Sequence, residues 1–495
     1  MDFSSQKNHG QPGFGLDFLR KEAEKMETVE NSKGQFNSNF GFLMAALGSA
    51  VGLGNLWSFP YKLGIGGGFA FLLLYVVLAI IVGYPLMLTE IAIGRKTRMG
   101  AIEGFEKLNP KFKFNGILQT IVPFFLICFY CTFGGYIIKY LWASIVALFD
   151  KNAPLTVGDP GEYFGNMIGA TVPGIAWMTL FLIMTVAIII AGVSGGIEKF
   201  CAVAMPALFF MLIIIVIRSC TLPGAGAGLE FLFKPNLEHW HTAAGLFEDF
   251  KLAGSQMFFS LSLCSGCIIA YGSYLGSEEN LEKDAFAIVV GDSVVAILAS
   301  MAIMPAVFAF GMEPSGGPGL LFVSMTAVFQ SMGTAGKFFQ LLFWLLVFFS
   351  ALSSSIGMME GGVSSVMDVR AKKGKTKNNR ATVAIAMGIL AFIGNFMTTA
   401  DALGGGKAMT WFHILGQSSV LDVWDAIAEG ILMPLTGLIM AIMIGWPNEG
   451  CLDEEIGRGR EFKTKKFYRF CIKWIGPIFM AFIVYGQITA FWGNH

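Results

Sequence analysis

Four serines lie within one stretch of a long apolar segment of this sequence: Ser350, Ser353, Ser354 and Ser355. Residues three and four positions apart share one face of a helix. Hydroxyl oxygens on such a face can complete an oxygen cage around a hard monovalent cation. A serine in an apolar helix also often bonds the carbonyl four residues earlier in its own helix. The cluster alone therefore leaves a cation site and a purely structural role open.

Two other apolar segments contain small residues that interrupt a regular helix. They are residues 48–55 (GSAVGLGN), soon followed by Phe59-Pro60, and residues 260–266 (SLSLCSG). An unwound backbone persists at membrane depth only where it is buried in protein or lines a cavity. It offers free carbonyls to a cation and a positive helix N-terminus to a carboxylate. Close packing of small residues between helices is the alternative, but two separated breaks favour a binding site.

One carboxylate, Asp292, lies inside an otherwise apolar run. Such a group is costly in a membrane unless it is paired, so a functional role is its default interpretation. Four more carboxylates lie in or at the ends of apolar segments: Glu90, Glu360, Asp368 and Glu429. Glu90 and Glu429 are also compatible with a structural role, bonded to neighbouring helices.

No residue pattern typical of an enzyme accompanies these groups. The sequence has no HExxH, Walker lysine loop or GxSxG motif. The pairs Cys128/Cys131 and Cys264/Cys267 have the spacing of metal thiolates, but buried thiolates without basic partners are costly, which favours packing roles. Lys plus Arg and Asp plus Glu number 34 each, so charge does not indicate a nucleic-acid partner. We predict that the chain is not an enzyme.

The elements that position these residues are predicted to be membrane-spanning helices. The 495-residue chain is 55% hydrophobic and only 14% charged, against roughly 25% charged in soluble domains. Apolar runs near the ~20 residues that cross a bilayer predict eleven spans, about 41–64, 69–93, 117–148, 173–192, 199–219, 243–276, 285–311, 336–367, 381–397, 420–446 and 468–492. Residues 317–335 are expected to form an outer loop helix. The prediction is an all-α membrane protein, with a cytosolic tail at 1–38 and a transmembrane domain at 39–495.

Basic residues set the expected orientation. They cluster after the second, eighth and tenth spans, at 95–98, 370–380 and 458–466. Because cytosolic loops carry the excess of Lys and Arg, we expect the N-terminus inside and, after eleven spans, the C-terminus outside. The short outer loops favour a multi-pass protein of a prokaryotic cytoplasmic membrane, in contact with the lipid bilayer.

At these residues the sequence resembles the neurotransmitter:sodium symporter family, in particular its bacterial leucine-transporter-like members. The resemblance extends from about residue 33 to the eleventh span. It rests on residues 50–61 (AVGLGNLWSFPY), 83–86 (GYPL), Tyr130, 256–262 (QMFFSLS) and 352–355 (LSSS). It implies an inverted repeat of five plus five helices, about 39–219 and about 243–446, with broken helices 1 and 6 and an additional span at 468–492.

The resemblance also implies a secondary active symporter that couples inward sodium movement to uptake of an amino acid or a close analogue by alternating access. Two sodium sites follow from it. The first would use the Ala50 carbonyl, Asn55, Ser260, Asp292 and the substrate carboxylate. The second would use the carbonyls of Gly48, Val51 and Ser350 and the hydroxyls of Ser353 and Ser354.

The implied substrate site lies between these ions. The substrate carboxylate would bind the amides near Gly52 and Gly54 and the Tyr130 hydroxyl. The substrate ammonium would bind carbonyls near Ser49, Phe259 and Ser262. The substrate side chain would lie against Leu126, Phe259, Ser265 and Met358, and Ser354 would adjoin the site. Gly52 stands where monoamine carriers of the family have Asp, which favours an amino acid over an amine. Tyr75, Gln256 and Ser260 match chloride-site positions, but Asp292 can supply the negative charge. We therefore expect no chloride requirement.

The gates implied by the family are only partly preserved. Lys33, Tyr274 and Asp368 match an inner gate in which an arginine–aspartate pair is usual, and Lys can form a similar monodentate pair. Ser58 stands where the family almost always has the outer-gate arginine, whereas Asp425 matches its acidic partner. We expect either water and Ser58 to bridge this gate, or another cation such as Lys407 to substitute. Cys264 and Ser265 also depart from the family pattern, so the substrate's identity does not follow.

Two other functions remain compatible with the sequence. A proton-coupled or exchange carrier of this architecture can replace the second cation with a basic side chain. No Lys or Arg lies near Ser353, which favours sodium. A substrate sensor that does not transport would accommodate Ser58 and Cys264, but the retained inner-gate residues Tyr274 and Asp368 argue against it. Oligomeric state does not follow from the sequence.

Overall fold

The computed structural model describes residues 34–150, 152–314, 317, 319–374 and 380–492, and every regular element within these ranges is helical. This confirms the predicted all-α class. Nine helices in this part of the chain are long and apolar enough to cross a membrane. They match the second to fifth and seventh to eleventh predicted spans: Phe69–Thr97, Pro110–Phe149, Thr171–Ile190, Val193–Cys220, Leu281–Ala309, Thr334–Lys372, Arg380–Gly404, Val420–Gly445 and Lys465–Thr489.

The first and sixth predicted spans are each divided into two helices. The first consists of Asn39–Ala50 and Gly54–Ile65, which are bent by 48° relative to one another. The sixth consists of Ala243–Ser260 and Cys267–Ser273, joined by the non-helical residues 261–266. Both interruptions lie in the predicted small-residue stretches. The total of eleven spans depends on counting the divided sixth helix as one span, and it remains a prediction. The orientation of the chain in the membrane also remains a prediction.

Short helices connect several spans. Ala101–Leu108 follows the second span, Pro160–Gly169 follows the third, and Gly226–Phe233 follows the fifth. Leu320–Ser331 lies between the seventh and eighth spans, inside the segment expected to form a loop helix.

Ion pairs attach the helix Ala101–Leu108 to the end of the eighth span. The Lys372 Nζ atom lies 2.7 Å from Glu103 and 2.9 Å from Glu106, and the Lys113 Nζ atom lies 2.7 Å from Glu106. Hydrogen bonds from Lys113 and Lys372 lower the pKa of Glu106 to about 2. This carboxylate therefore stays ionised at neutral pH, and the attachment persists.

The two divided spans lie at the centre of the molecule. Every residue from 253 to 275, which includes the sixth-span interruption, is buried. Outer spans instead expose large apolar side chains, such as Ile183 at 59%, Phe210 at 66% and Ile478 at 70%. Exposed apolar side chains on helices of this length are suited to lipid. The surrounding spans thus shield the interrupted helices from the bilayer.

Candidate functional site

The interruption of the first span frees carbonyl groups at the centre of the molecule. The helix Asn39–Ala50 ends at Val51, whose backbone is extended (φ −74°, ψ 90°). The carbonyls of Gly48, Ser49 and Val51 accept hydrogen bonds from serines of other spans instead of from their own helix. The Leu53 amide meets the Tyr130 hydroxyl at 3.1 Å. The interruption of the first span therefore presents both hydrogen-bond acceptors and a hydrogen-bond donor to the surrounding spans.

The sixth-span interruption has an unusual backbone held by specific contacts. Ser262 and Cys264 have positive φ angles of 52° and 59°, which non-glycine residues rarely adopt. Such conformations persist when the surroundings fix them. The Cys264 amide donates to both carboxylate oxygens of Glu90 at 3.1 and 3.2 Å, and its carbonyl accepts from Thr436 at 3.1 Å. Glu90 is thus bonded to the unwound segment, which is consistent with the structural role left open for it.

Three of the residues expected at the first sodium site are in mutual contact. Asn55 Nδ2 lies 3.0 Å from Ser260 Oγ and 2.8 Å from Asp292 Oδ1. Ser260 Oγ donates to Asp292 Oδ2 at 2.8 Å, and the Tyr75 hydroxyl donates to the same oxygen at 3.0 Å. Ala50, the fourth expected residue, is also buried. It lies two residues before Gly52, and the Gly52 amide donates to Asn55 Oδ1 at 3.1 Å. The first, second, sixth and seventh spans therefore meet around one cluster of oxygens.

The residues expected at the second sodium site join the first and eighth spans. Ser350 Oγ donates to the Val51 carbonyl at 3.1 Å. Ser354 Oγ lies 3.1 Å from the Gly48 carbonyl and 3.0 Å from the Ser49 carbonyl. Ser353 Oγ bonds the Ser350 carbonyl of its own helix at 3.0 Å. These fully buried hydroxyl and carbonyl oxygens form the type of ligand set that hard cations prefer.

The expected substrate residues are all buried. They are Ser49, Gly52, Gly54, Leu126, Tyr130, Phe259, Ser262, Ser265, Ser354 and Met358. Ser262 Oγ donates to the Ser49 carbonyl at 2.8 Å, which connects the two interruptions directly. Ser265 Oγ turns back to the Ser262 carbonyl at 2.7 Å. The two broken helices are therefore joined at the point where the sequence predicts the substrate.

Glycine is needed at position 52 for lack of space. A Cβ atom built on Gly52 would lie 2.8 Å from the Tyr130 hydroxyl and closer still to Ser354 Oγ. A side chain such as Asp at this position would displace both hydroxyls. At Gly54 the neighbour is the Phe259 ring, 3.2 Å from a built Cβ.

Tyr274, one of the residues predicted for the inner gate, is hydrogen-bonded to an ion-paired carboxylate. Its hydroxyl donates to Glu360 Oε1 at 2.6 Å, and Glu360 Oε2 forms an ion pair with Arg380 at the start of the ninth span. Asp368 accepts from the Gly100 amide at 2.6 Å. Lys33 lies outside the described residues. Sequence reasoning missed the Glu360–Arg380 pair, although a carboxylate inside a span implies a partner.

Lys62 is a cation four residues after Ser58, which is predicted to belong to the outer gate. Ser58 Oγ donates to Gln256 Oε1 at 2.7 Å, and Lys62 forms an ion pair with Glu429, whose side chains are 13% and 5% exposed. Lys62 Nζ also lies 3.4 Å from Ser255 Oγ of the sixth span. The side chain of Lys407 lies outside the described residues.

The Lys62–Glu429 pair lies four residues beyond the expected gate residues in both helices. Lys62 lies four residues after Ser58, and Glu429 lies four residues after Asp425, which it adjoins. Residues four apart are on the same helix face, about one turn away. The i,i+4 spacing in the sequence therefore indicates Lys62 and Glu429 as alternative partners to Ser58 and Asp425.

Comparisons with known proteins are consistent across the chain. The sodium:neurotransmitter symporter family matches residues 33–152 and 168–494. A sodium-dependent transporter of Bacillus subtilis, YhdH, is 34% identical over 412 residues, covering 83% of this chain and 87% of the relative. One from Haemophilus influenzae is 31% identical over 468 residues, covering 92% of this chain and 99% of the relative.

A solved structure is similar in fold as well as in sequence. The crystal structure of MhsT in complex with L-phenylalanine superposes with a TM-score of 0.82 at 34% identity. The similarity covers 92% of this chain and 100% of MhsT.

Proposed function

Because the chain belongs to the sodium:neurotransmitter symporter family, we propose that it couples inward movement of two sodium ions to uptake of an amino acid or a close analogue by alternating access. The observation that carries this proposal is that two clusters of buried oxygen atoms lie where the interrupted helices contact other spans. One cluster contains Asn55, Ser260 and Asp292. The other contains Ser350, Ser354 and the first-span carbonyls.

An amino acid is the substrate class that these surroundings favour. Its carboxylate would be received by the amides near Gly52 and Gly54 and by Tyr130, and would complete the first sodium's coordination. A substrate with its own carboxylate suits Gly52, since an aspartate there would collide with Tyr130 and Ser354. The L-phenylalanine bound by MhsT supports the same class. Ser265 and Cys264 leave the particular amino acid open.

Alternating access requires closure on one side at a time, and polar contacts occur on both sides of the substrate region. On the predicted orientation, the outer side would have the Lys62–Glu429 pair, and the inner side would have Tyr274, Glu360 and Arg380. We propose that both contacts contribute to gating, together with the expected inner residues Lys33 and Asp368 and the outer residues Ser58 and Asp425. The five-plus-five repeat and a prokaryotic cytoplasmic membrane are part of the same proposal.

The test is uptake of labelled amino acids into proteoliposomes with an inward sodium gradient, then with potassium or choline in its place. Asn55→Ala and Ser354→Ala remove one oxygen ligand from each proposed sodium site, so both should abolish sodium-driven accumulation. Ser300→Ala is the matched control. Ser300 is a buried serine of the seventh span that bonds the Ala296 carbonyl of its own helix at 3.0 Å, and its loss should leave uptake intact.

The outcomes separate the alternatives. Accumulation that persists without sodium but follows a proton gradient would contradict both sodium sites. Sodium-dependent binding without any accumulation would instead identify a sensor.

A further inference from the structure

A cavity of about 550 Å³ lies apart from the interrupted helices, between the second, seventh and eleventh spans. Pockets for small ligands typically occupy roughly 300–1,000 Å³. Its apolar wall is formed by Ile80, Tyr84, Phe286, Val289, Val290 and Phe467. The proposed transport mechanism uses none of these residues.

The apolar wall is exposed at the surface of the helix bundle. Ile80 is 48% exposed, Phe286 is 57% exposed and Phe467 is 39% exposed, and all three lie on membrane-spanning helices. The Tyr84 ring lies between two of them, with centroid distances of 6.3 Å to Phe286 and 6.5 Å to Phe467. Its hydroxyl is fixed by Thr464 at 3.0 Å. A lipid acyl chain could therefore enter along a preformed aromatic surface.

The other end of the cavity is basic. Lys283, Arg460 and Lys463 line it, and within the described ranges none of the three forms an ion pair with a carboxylate. The Arg460 guanidinium donates a hydrogen bond to the Glu278 carbonyl at 2.8 Å. Arg460 and Lys463 belong to the basic loop 458–466, and Lys283 lies in the first turn of the seventh span. Anionic headgroups attract Lys and Arg at such positions.

Two carboxylates, Glu282 and Glu461, also line this end of the cavity, and Glu282 is already hydrogen-bonded within the protein. Glu282 accepts from the Thr464 amide at 2.8 Å, the Thr464 hydroxyl at 2.7 Å and the Lys463 amide at 3.2 Å. Glu461 is exposed. Three cations against two carboxylates leave the lining with an excess of one positive charge.

We propose that this cavity binds one anionic phospholipid of the adjacent leaflet, with its phosphate at Lys283, Arg460 and Lys463 and an acyl chain on the Phe286 side. A free phosphate would gain nothing from the apolar wall, and a zwitterionic lipid would gain little from the excess positive charge. An anionic amphiphile uses both features at once. The bound lipid would connect the seventh span to the loop that precedes the eleventh.

Native mass spectrometry tests the proposal on the whole protein in micelles with equal phosphatidylglycerol and phosphatidylcholine. The wild type should retain one phosphatidylglycerol in preference to phosphatidylcholine. The triple variant Lys283→Gln, Arg460→Gln, Lys463→Gln should lose on the order of tenfold or more of this binding. The triple variant Lys111→Gln, Lys199→Gln, Lys373→Gln removes the same charge from exposed positions elsewhere and should retain the lipid.

A second variant tests the location independently of charge. Val290→Trp fills the cavity from a position that is 38% exposed, so the helix should tolerate it, and it too should abolish retention. Equal retention of the two lipids by the wild type would overturn the proposal. So would retention by the basic-residue variant or by Val290→Trp. Because the measurement is the mass of the bound lipid, it does not depend on whether the protein transports an amino acid.

Discussion

Asp292 is the residue on which most of the proposed ion chemistry converges. Its carboxylate contacts Asn55, Ser260 and Tyr75 at 2.8, 2.8 and 3.0 Å, and it is fully buried. A buried carboxylate without a cation is costly, so a sodium ion at Asn55 would offset much of its cost. The same charge would balance the imported sodium without a separate anion. We therefore propose that transport needs no chloride.

Asp292→Ser should make uptake depend on chloride, because the shorter neutral side chain removes the negative charge and leaves a space beside Tyr75 and Ser260 that a small anion can fill. The measurement is sodium-driven uptake with chloride or gluconate as the only external anion. The wild type should be unaffected by the exchange. Chloride-dependent uptake by the wild type would contradict the assignment of this role to Asp292.

At the scale of elements, the Lys62–Glu429 ion pair is associated with two π-helical segments. Residues Gly54–Ser58 of the first span and Ala426–Leu432 of the tenth are π-helical, a form that is often found at functional sites. Lys62 follows the first of these segments and Glu429 lies within the second. Lys62 also contacts Ser255 of the sixth span. The Lys62 ammonium group thus connects three elements, whereas the Ser58 hydroxyl donates to Gln256 of the sixth span.

Lys62→Gln should reduce both uptake and stability, because it leaves Glu429 buried without its cation. Breaking a buried ion pair costs roughly 3–5 kcal/mol. The exchange Lys62→Glu with Glu429→Lys should recover part of both properties. Thermal unfolding in detergent and proteoliposome uptake are the measurements.

The matched control for this pair is Lys234→Gln. Lys234 and Glu230 form an ion pair whose side chains are 71% and 68% exposed, so its loss should cost no more than about 1 kcal/mol. An exchange variant no better than the single variants would show that Lys62 and Glu429 do not act as a pair.

At the scale of the whole molecule, the proposed sodium sites join elements that are distant in sequence. The first site connects the first span with the sixth and seventh, and the second connects it with the eighth. The Ser262–Ser49 contact at 2.8 Å lies between them. Binding of sodium should therefore stabilise the arrangement of the whole bundle and not only its local ligands.

Sodium should raise the unfolding temperature of the purified protein, whereas potassium at the same ionic strength should not. A ligand at about 100 times its dissociation constant stabilises the folded state by ~2.7 kcal/mol, which amounts to a shift on the order of a few degrees. Ser354→Ala and Asn55→Ala should each reduce the shift, and Ser300→Ala should preserve it. Equal stabilisation by both cations would argue against selective sodium sites.

The sequence by itself determined the spans and the places where two of them break. Apolar length and small-residue stretches are local properties, because every backbone group in a bilayer must be satisfied within its own helix or by protein around a break. The same local reading, aided by family resemblance, selected Asn55, Ser260 and the serines of the eighth span. The structure brings these residues to the two interruptions.

Only the tertiary structure decided which polar groups pair across the bundle. Lys62 and Glu429 are 367 residues apart, and Tyr274 of the sixth span bonds Glu360 of the eighth, which is paired with Arg380 of the ninth. Local patterns give the face of a helix on which a charge lies but not the neighbouring span that approaches it. That choice depends on how all the helices pack together, because a buried charge accepts whichever partner the packing brings within reach.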